Sequence, residues 1–318
     1  MRKPGSMARF LLLHMDVTPP QAEEQALESP PKGSILDDLV TTATAVRQSP
    51  AFLPGVAIIL GLFAIYWPLF LKLPPLWLKD QGYYSHGFLV PLISGYVVYN
   101  NWDRIKDTPI KPQWWVAVPL LAGLFFVRAA YRTDIMMFMS YGFVLTLASL
   151  IVILAGWQWL WKLLLPTGYL LFMLPVFGAF FDNNTNKLQL ISATIAKLML
   201  KVMGQEMQVD GTVIYLDHFT LNIAAACSGL KLLFAVTAFT VFFVLIARLR
   251  MLGNIIMFAF TVPLCLFING LRIALIGLVG NYFGSDAGNA FHDYSGYITL
   301  LICFFILFKF ARILGWKD

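Results

Sequence analysis

Three residues of reactive type stand in short motifs toward the C-terminal end of the chain. Cys227 lies in "NIAAACSGLKLL" (222–233), Arg272 in "INGLRIALI" (268–276) and His292 in "FHDYSGY" (291–297). A cysteine attacks as its thiolate, and thiolate formation is favoured at helix N-termini and beside cations. Cys227 opens an apolar run and has Lys231 four residues on, with Asn222 or Thr220 placed to cap the helix start. A histidine can take the thiol proton and return it to a leaving amine. An arginine in an apolar segment is costly without a purpose. Arg272 can steady an oxyanion or bind a substrate carboxylate. Together the three describe acyl transfer through a thioester. Asp293 neighbours His292 but is expected to point elsewhere. Ser228 is a rival nucleophile, although a thiol is intrinsically the more reactive group.

Each residue also has an ordinary reading. A single cysteine in a membrane helix is usually packing, and Cys265 and Cys303 are read that way. Arg272 and Lys231 can snorkel toward water. His86 and His218 can sit at a wet interface, and Asp217 can be solvated. Three cysteines without a C-x-x-C spacing imply neither a disulfide framework nor a zinc site. No cofactor is called for.

The elements that must position these residues are membrane helices. Of 318 residues, 59% are hydrophobic and only 13% charged, against roughly 25% charged in a soluble domain. Mean hydropathy is +0.73. Long apolar runs exclude a β-barrel, whose strands alternate, and make this an all-α polytopic membrane protein. The +6 charge sits mostly at the ends of apolar runs, as topology signals do, so nucleic acid is not an expected partner. Residues 1–50 read as a polar, disordered cytoplasmic tail without a cleavable signal. Residues 51–318 form the transmembrane domain.

About eight spans are expected, near 52–72, 87–101, 114–130, 135–155, 160–180, 226–247, 251–283 and 295–311. The seventh is too long for one crossing of about 20 residues, so it should kink near Asn269 or project beyond the bilayer. Residues 185–204 carry Lys187, Ser192, Thr194, Lys197 and Lys201 and read as an amphipathic helix lying on the outer face. Asp210-Gly211 between β-branched runs reads as a hairpin, so 185–222 forms an outer-face helix and hairpin. The basic loops 102–113 and 248–250 place both termini in the cytoplasm. That topology brings Ser85, His86, the hairpin, Cys227, Arg272 and His292 to the outer face.

"AACSGLK" (225–231), "INGLRIALI" and "FHDYSGY" resemble the three signatures of the exosortases and archaeosortases. "YSHGFLVPLISGYVVY" (84–99) and "LLFMLPVFGAFFDNNTNKLQLISATIAKLML" (170–200) are also similar to that family. The likeness runs in order over about 52–312 and leaves the first 50 residues uncovered. It implies a membrane cysteine peptidase or transpeptidase with Cys227, Arg272 and His292 as its triad. Lys231, Ser228, Asn269 and His86 are supporting candidates, His86 for substrate contact. The implied substrates are exported proteins with a C-terminal tail of short motif (such as Pro-Glu-Pro), membrane helix and basic cluster. The implied acceptor is a lipid or exopolysaccharide, and the implied location is the inner membrane with the site facing the periplasm. The alternatives are a lipid or anion transporter and a non-catalytic exopolysaccharide assembly factor, in which the three residues bind ligand or are structural.

Overall fold

The computed structural model describes residues 52–78, 82–133, 135–223, 229–247 and 249–316. Its helices are α1 (Phe52–Leu78), α2 (Leu89–Asn100), α3 (Trp102–Ile105), α4 (Ala117–Thr133), α5 (Met136–Leu154), α6 (Trp157–Tyr169), α7 (Gly178–Val202), α8 (Leu230–Ala247), α9 (Met251–Phe283) and α10 (Ser285–Ile313). Between α7 and α8 lie β1 (Gln208–Asp210), β2 (Val213–Tyr215) and β3 (Thr220–Asn222). Phe63–Asp318 is one compact unit. The residues before it form another, of which the described part, Phe52–Leu62, is the apolar beginning of α1.

The C-terminal three helices form the central core. Val236 and Phe243 of α8, Met257, Leu264 and Cys265 of α9, and Cys303, Leu307 and Ala311 of α10 are buried together. Cys265 and Cys303 therefore pack, as expected. α9 and α10 meet at Gly284, whose φ of +89° suits a residue without a Cβ. A Cβ on Gly288 would come within 2.8 Å of Gly280 Cα, so these two backbones touch just beyond the turn. The Thr240 and Thr261 hydroxyls are buried 2.8 Å apart across α8 and α9; one donates to the other, whose own proton goes to a carbonyl one turn back on its helix.

Two layers lie on α9. α7 buries Ser192, Ala193, Ala196 and Leu200, a stripe at helical spacing. A Cβ on Gly270 would overlap Ile195 of α7, so the helices meet at close range. The sheet is a three-stranded antiparallel meander, with Val209 opposite Ile214 and Ile214 opposite Leu221. The expected Asp-Gly turn is present, with Gly211 at φ +58°. Ile214, Leu216, Leu221 and Ile223 pack against α7 and against Ile273, Ala274 and Ile276 of α9.

Among the described residues, six helices are long and apolar enough to cross a membrane: α1, α4 with its preceding turn, α5, α8, α9 and α10. The other two expected spans are shorter. α2 has 12 residues and α6 has 13, or about 18–20 Å each against a hydrocarbon core of about 30 Å. They pack side by side, and Ser94 donates to the Pro166 carbonyl at 2.8 Å. In the expected 160–180 span, α6 gives way to a 3-10 turn over Leu170–Met173, after which Pro175 forces Leu174 into extended backbone (φ −106°, ψ 145°). α7 then starts afresh at Gly178. α1 runs on past Pro74 and Pro75 to Leu78, where a loop was expected from residue 73. Pro68 interrupts its hydrogen bonds, and Tyr131 of α4 donates to the nearby Ile65 carbonyl at 2.9 Å.

Candidate functional site

α8 starts at Leu230, preceded by Gly229 at φ +80°. A Cβ on Gly229 would lie 2.9 Å from Asn269 Nδ2, so only glycine lets the chain turn into α8 against α9. Asn269 is fully buried and donates to Ser192 Oγ at 3.0 Å. It is a three-way junction between α7, α9 and the start of α8. α9 is one uninterrupted helix of 33 residues, about 50 Å long, which exceeds a hydrocarbon core of about 30 Å.

The expected caps also differ. Thr220 and Asn222 belong to β3, eight or more residues before α8, and do not cap it. Cys227 and Ser228, in the short connection between β3 and Gly229, lie outside the described residues, and so does Arg248, between α8 and α9.

A cavity of about 470 Å³ opens where α8 begins, beside Asn269 and Arg272 in the body of α9 and residues 292–300 of α10. Ser85, Gly229, Lys231, Asn269, Arg272 and His292 all face it. Topology reasoning placed Ser85, Arg272 and His292 on one face, and the structure brings these three together at the cavity. Asp293, Tyr294 and Tyr297 form its outer rim, and Leu232, Ala235 and Leu300 its deeper apolar wall. The α8 N-terminus contributes the positive end of a helix dipole, and Lys231 and Arg272 add two cations against the single carboxylate of Asp293. Such a site favours anions.

Arg272 is held rigidly. Its Nε donates to Ser295 Oγ at 3.0 Å and its Nη2 to the His292 carbonyl at 3.0 Å. The guanidinium lies 3.6–4.0 Å from where a Gly296 Cβ would stand, so it rests on the bare backbone of α10. Ser295 and Gly296 are thus functional neighbours of Arg272. The sequence held the signal in "HDYSGY", where a small hydroxyl and a glycine follow the histidine.

His292 was expected just before the last helix. It lies inside it, because α10 begins at Ser285. Gly284 breaks the preceding helix and Asp286 in the first turn complements the dipole. Those polar residues mask the helix in a hydropathy reading. Asp293 was expected to point away. Its Oδ1 instead lies 3.1 Å from His292 Nδ1. With Nδ1 donating to this carboxylate, the lone pair falls on Nε2, the arrangement of an oriented general base. Asp293 is exposed and His292 partly buried.

His86 does not face the cavity. It lies behind the wall, in the loop from α1 to α2, next to Ser85. It is 6% exposed and packs edge-on against Phe234 of α8, ring centroids 5.2 Å apart. Burial and then the Lys231 charge hold its pKa down at about 4. Tyr84 anchors this loop: its hydroxyl accepts from the Phe177 N–H at 3.3 Å, and burial pushes its pKa up to about 12.

Elsewhere the loop between β2 and β3 is tied to the end of α9, where the His218 N–H donates to Asn281 Oδ1 at 2.8 Å. Among the described residues no cluster of histidine, cysteine and carboxylate side chains could hold a metal.

Comparison with the curated proteins and with solved structures gives no match. The family model described as transmembrane exosortase (Exosortase_EpsH) matches residues 77–309, which takes in the cavity, all three reactive motifs and the helices that carry them. The chain belongs to the transmembrane exosortase family.

Proposed function

We propose that this protein is a membrane cysteine transpeptidase that cuts exported proteins at a C-terminal sorting tail and passes them to a cell-surface acceptor. The observation that supports this most is the convergence of Lys231, Arg272 and His292 on one cavity whose wall includes Gly229, two residues along the chain from Cys227.

His292 Nε2 takes the Cys227 thiol proton, and the thiolate is favoured by Lys231 and the α8 N-terminus. Sulfur attacks the scissile carbonyl. Arg272 steadies the oxyanion or reads a substrate carboxylate; its two hydrogen bonds leave it aimed and immobile. The C–N bond breaks and the leaving amine takes its proton from His292. An acceptor hydroxyl or amine, or water, then attacks the thioester, gives its proton to His292, and releases the thiolate. Ser228 is the rival nucleophile in the same connection. The substrate's membrane helix docks beside the bundle, so that its motif meets the outer-facing cavity. No cofactor enters the scheme.

Co-expression with a tailed substrate tests it. Cys227→Ala is expected to abolish processing while the protein still reaches the membrane, and Cys227→Ser to retain little of it. A transporter or assembly factor would keep its activity in Cys227→Ser and show no thiol labelling above background.

A further inference from the structure

Away from the cavity, α4 carries two arginines one turn apart near its C-terminal end, Arg128 and Arg132. Both are exposed, and neither forms an ion pair with a carboxylate among the described residues. With its preceding turn this helix covers Trp114–Arg132, 19 residues, or about 28 Å, close to a hydrocarbon core of about 30 Å. Trp114 and Trp115 at its start are exposed, as residues of an interfacial belt are. Arg132 therefore reaches the opposite interface, and Arg128 lies about 6 Å further in. An arginine at that depth needs a partner to offset its cost.

The surroundings say what that partner is. Leu121, Phe125, Arg128 and Arg132 share one helix face by their spacing, and the first two are exposed. The face thus runs from hydrocarbon to cation, the order in which a phospholipid presents its chains and its phosphate. Beside it, between α4 and the middle of α1, lies a groove of about 360 Å³. Ala64, Ile65, Pro68, Leu124 and Val127 give it apolar walls, and Arg128 and Tyr131 add its polar groups. α1 is fixed to α5 instead: Tyr66 is fully buried with its hydroxyl 2.7 Å from Thr146 Oγ1, and Phe70 meets Phe143 edge-on. Across the groove itself, Tyr131 donates to the Ile65 carbonyl at 2.9 Å. We propose that the α1–α4 groove binds one anionic phospholipid, its phosphate between Arg128 and Arg132 and one acyl chain along Ala64, Leu124 and Val127. Guanidinium groups pair well with phosphate oxygens, and basic pockets between membrane helices take lipid headgroups. A zwitterionic lipid carries its own ammonium and matches two arginines less well. The bound lipid fills the gap between α1 and α4 and so stabilises their packing.

Thermal unfolding of the full-length protein in mild detergent tests this, with phosphatidylglycerol, phosphatidylcholine or inorganic phosphate added in turn. Phosphatidylglycerol is expected to raise the midpoint in a saturable way, and the other two are not. Arg128→Gln and Arg132→Gln should each raise the lipid concentration for half the shift by about tenfold. Ala64→Phe, which fills the groove and leaves both arginines, should weaken the response as well. Arg104→Gln, near the other end of the membrane helices, should not change it. The variants are read separately, so any one recovered folded is informative. Equal shifts with phosphatidylcholine would overturn the proposal, and so would a response unchanged in the arginine variants. A shift reproduced by inorganic phosphate would contradict it too, by showing a site for the free anion and not for a lipid.

Discussion

At the residue scale, the site depends on side chains fixed by α10. Arg272 donates from two different nitrogens to Ser295 Oγ and the His292 carbonyl. Lysine has one donor head and cannot reproduce this fork. Arg272→Lys is expected to lower substrate processing by at least about tenfold with membrane levels unchanged, because a hydrogen bond to a charged group is worth about 1.5–3 kcal/mol. Immunoblots of substrate and enzyme check both halves. His86 gives a prediction in stability. Its pKa falls from 6.5 in the unfolded chain to about 4 in the folded protein, so the unfolded state binds the extra proton between those values. Stability is therefore full above pH 6.5 and declines as pH falls toward 4, by about 3 kcal/mol in all. Thermal unfolding in detergent should drop between pH 7 and pH 5, and His86→Phe should flatten that dependence. Much at this scale was legible beforehand: residue types and spacing singled out Arg272, His292, Lys231 and His86. Asp293, Ser295 and Gly296 were not, because their roles come from which turn of α10 faces Arg272, and that requires knowing the helix starts at Ser285.

At the element scale, glycines decide how closely α9 is approached. Gly270 admits Ile195 of α7, and Gly280 admits Phe219 from the β2–β3 loop. Gly270→Leu must push α7 off α9 and strain the Asn269–Ser192 hydrogen bond. A destabilisation of about 1–3 kcal/mol is expected, read as lower thermal stability and as loss of processing through the displaced start of α8. The amphipathic pattern of α7 and the Asp-Gly turn were readable in sequence because both have local signatures. The third strand was not. Thr220–Asn222 is three residues long and is held by pairing with β2 and by burial of Leu221 and Ile223 on α9, which are non-local. The early end of α6 and the persistence of α1 through Pro74-Pro75 show the same limit: a proline in the sequence does not by itself fix where a helix ends.

At the scale of the whole molecule, the chain is a multi-pass membrane protein of the exosortase family, which supports a protein-processing role in the membrane. Fold class followed from composition alone, since only helices satisfy their backbones in lipid. The number of crossings did not, because α2 and α6 carry apolar sequence on helices too short to span unaided. Arg104, Lys106 and Lys111 predict that the 102–113 loop is cytoplasmic. A cysteine introduced there, in a background lacking the native three, should resist membrane-impermeant labelling in intact cells; labelling from outside would show that α2 does not cross. The central claim is that Cys227 is the nucleophile of a cavity formed by Lys231, Arg272 and His292. The most direct measurement is processing of a tailed substrate by Cys227→Ala in cells, with enzyme abundance followed in parallel. Complete loss of processing at normal abundance is the predicted result, and cleavage at the unsubstituted rate would contradict it.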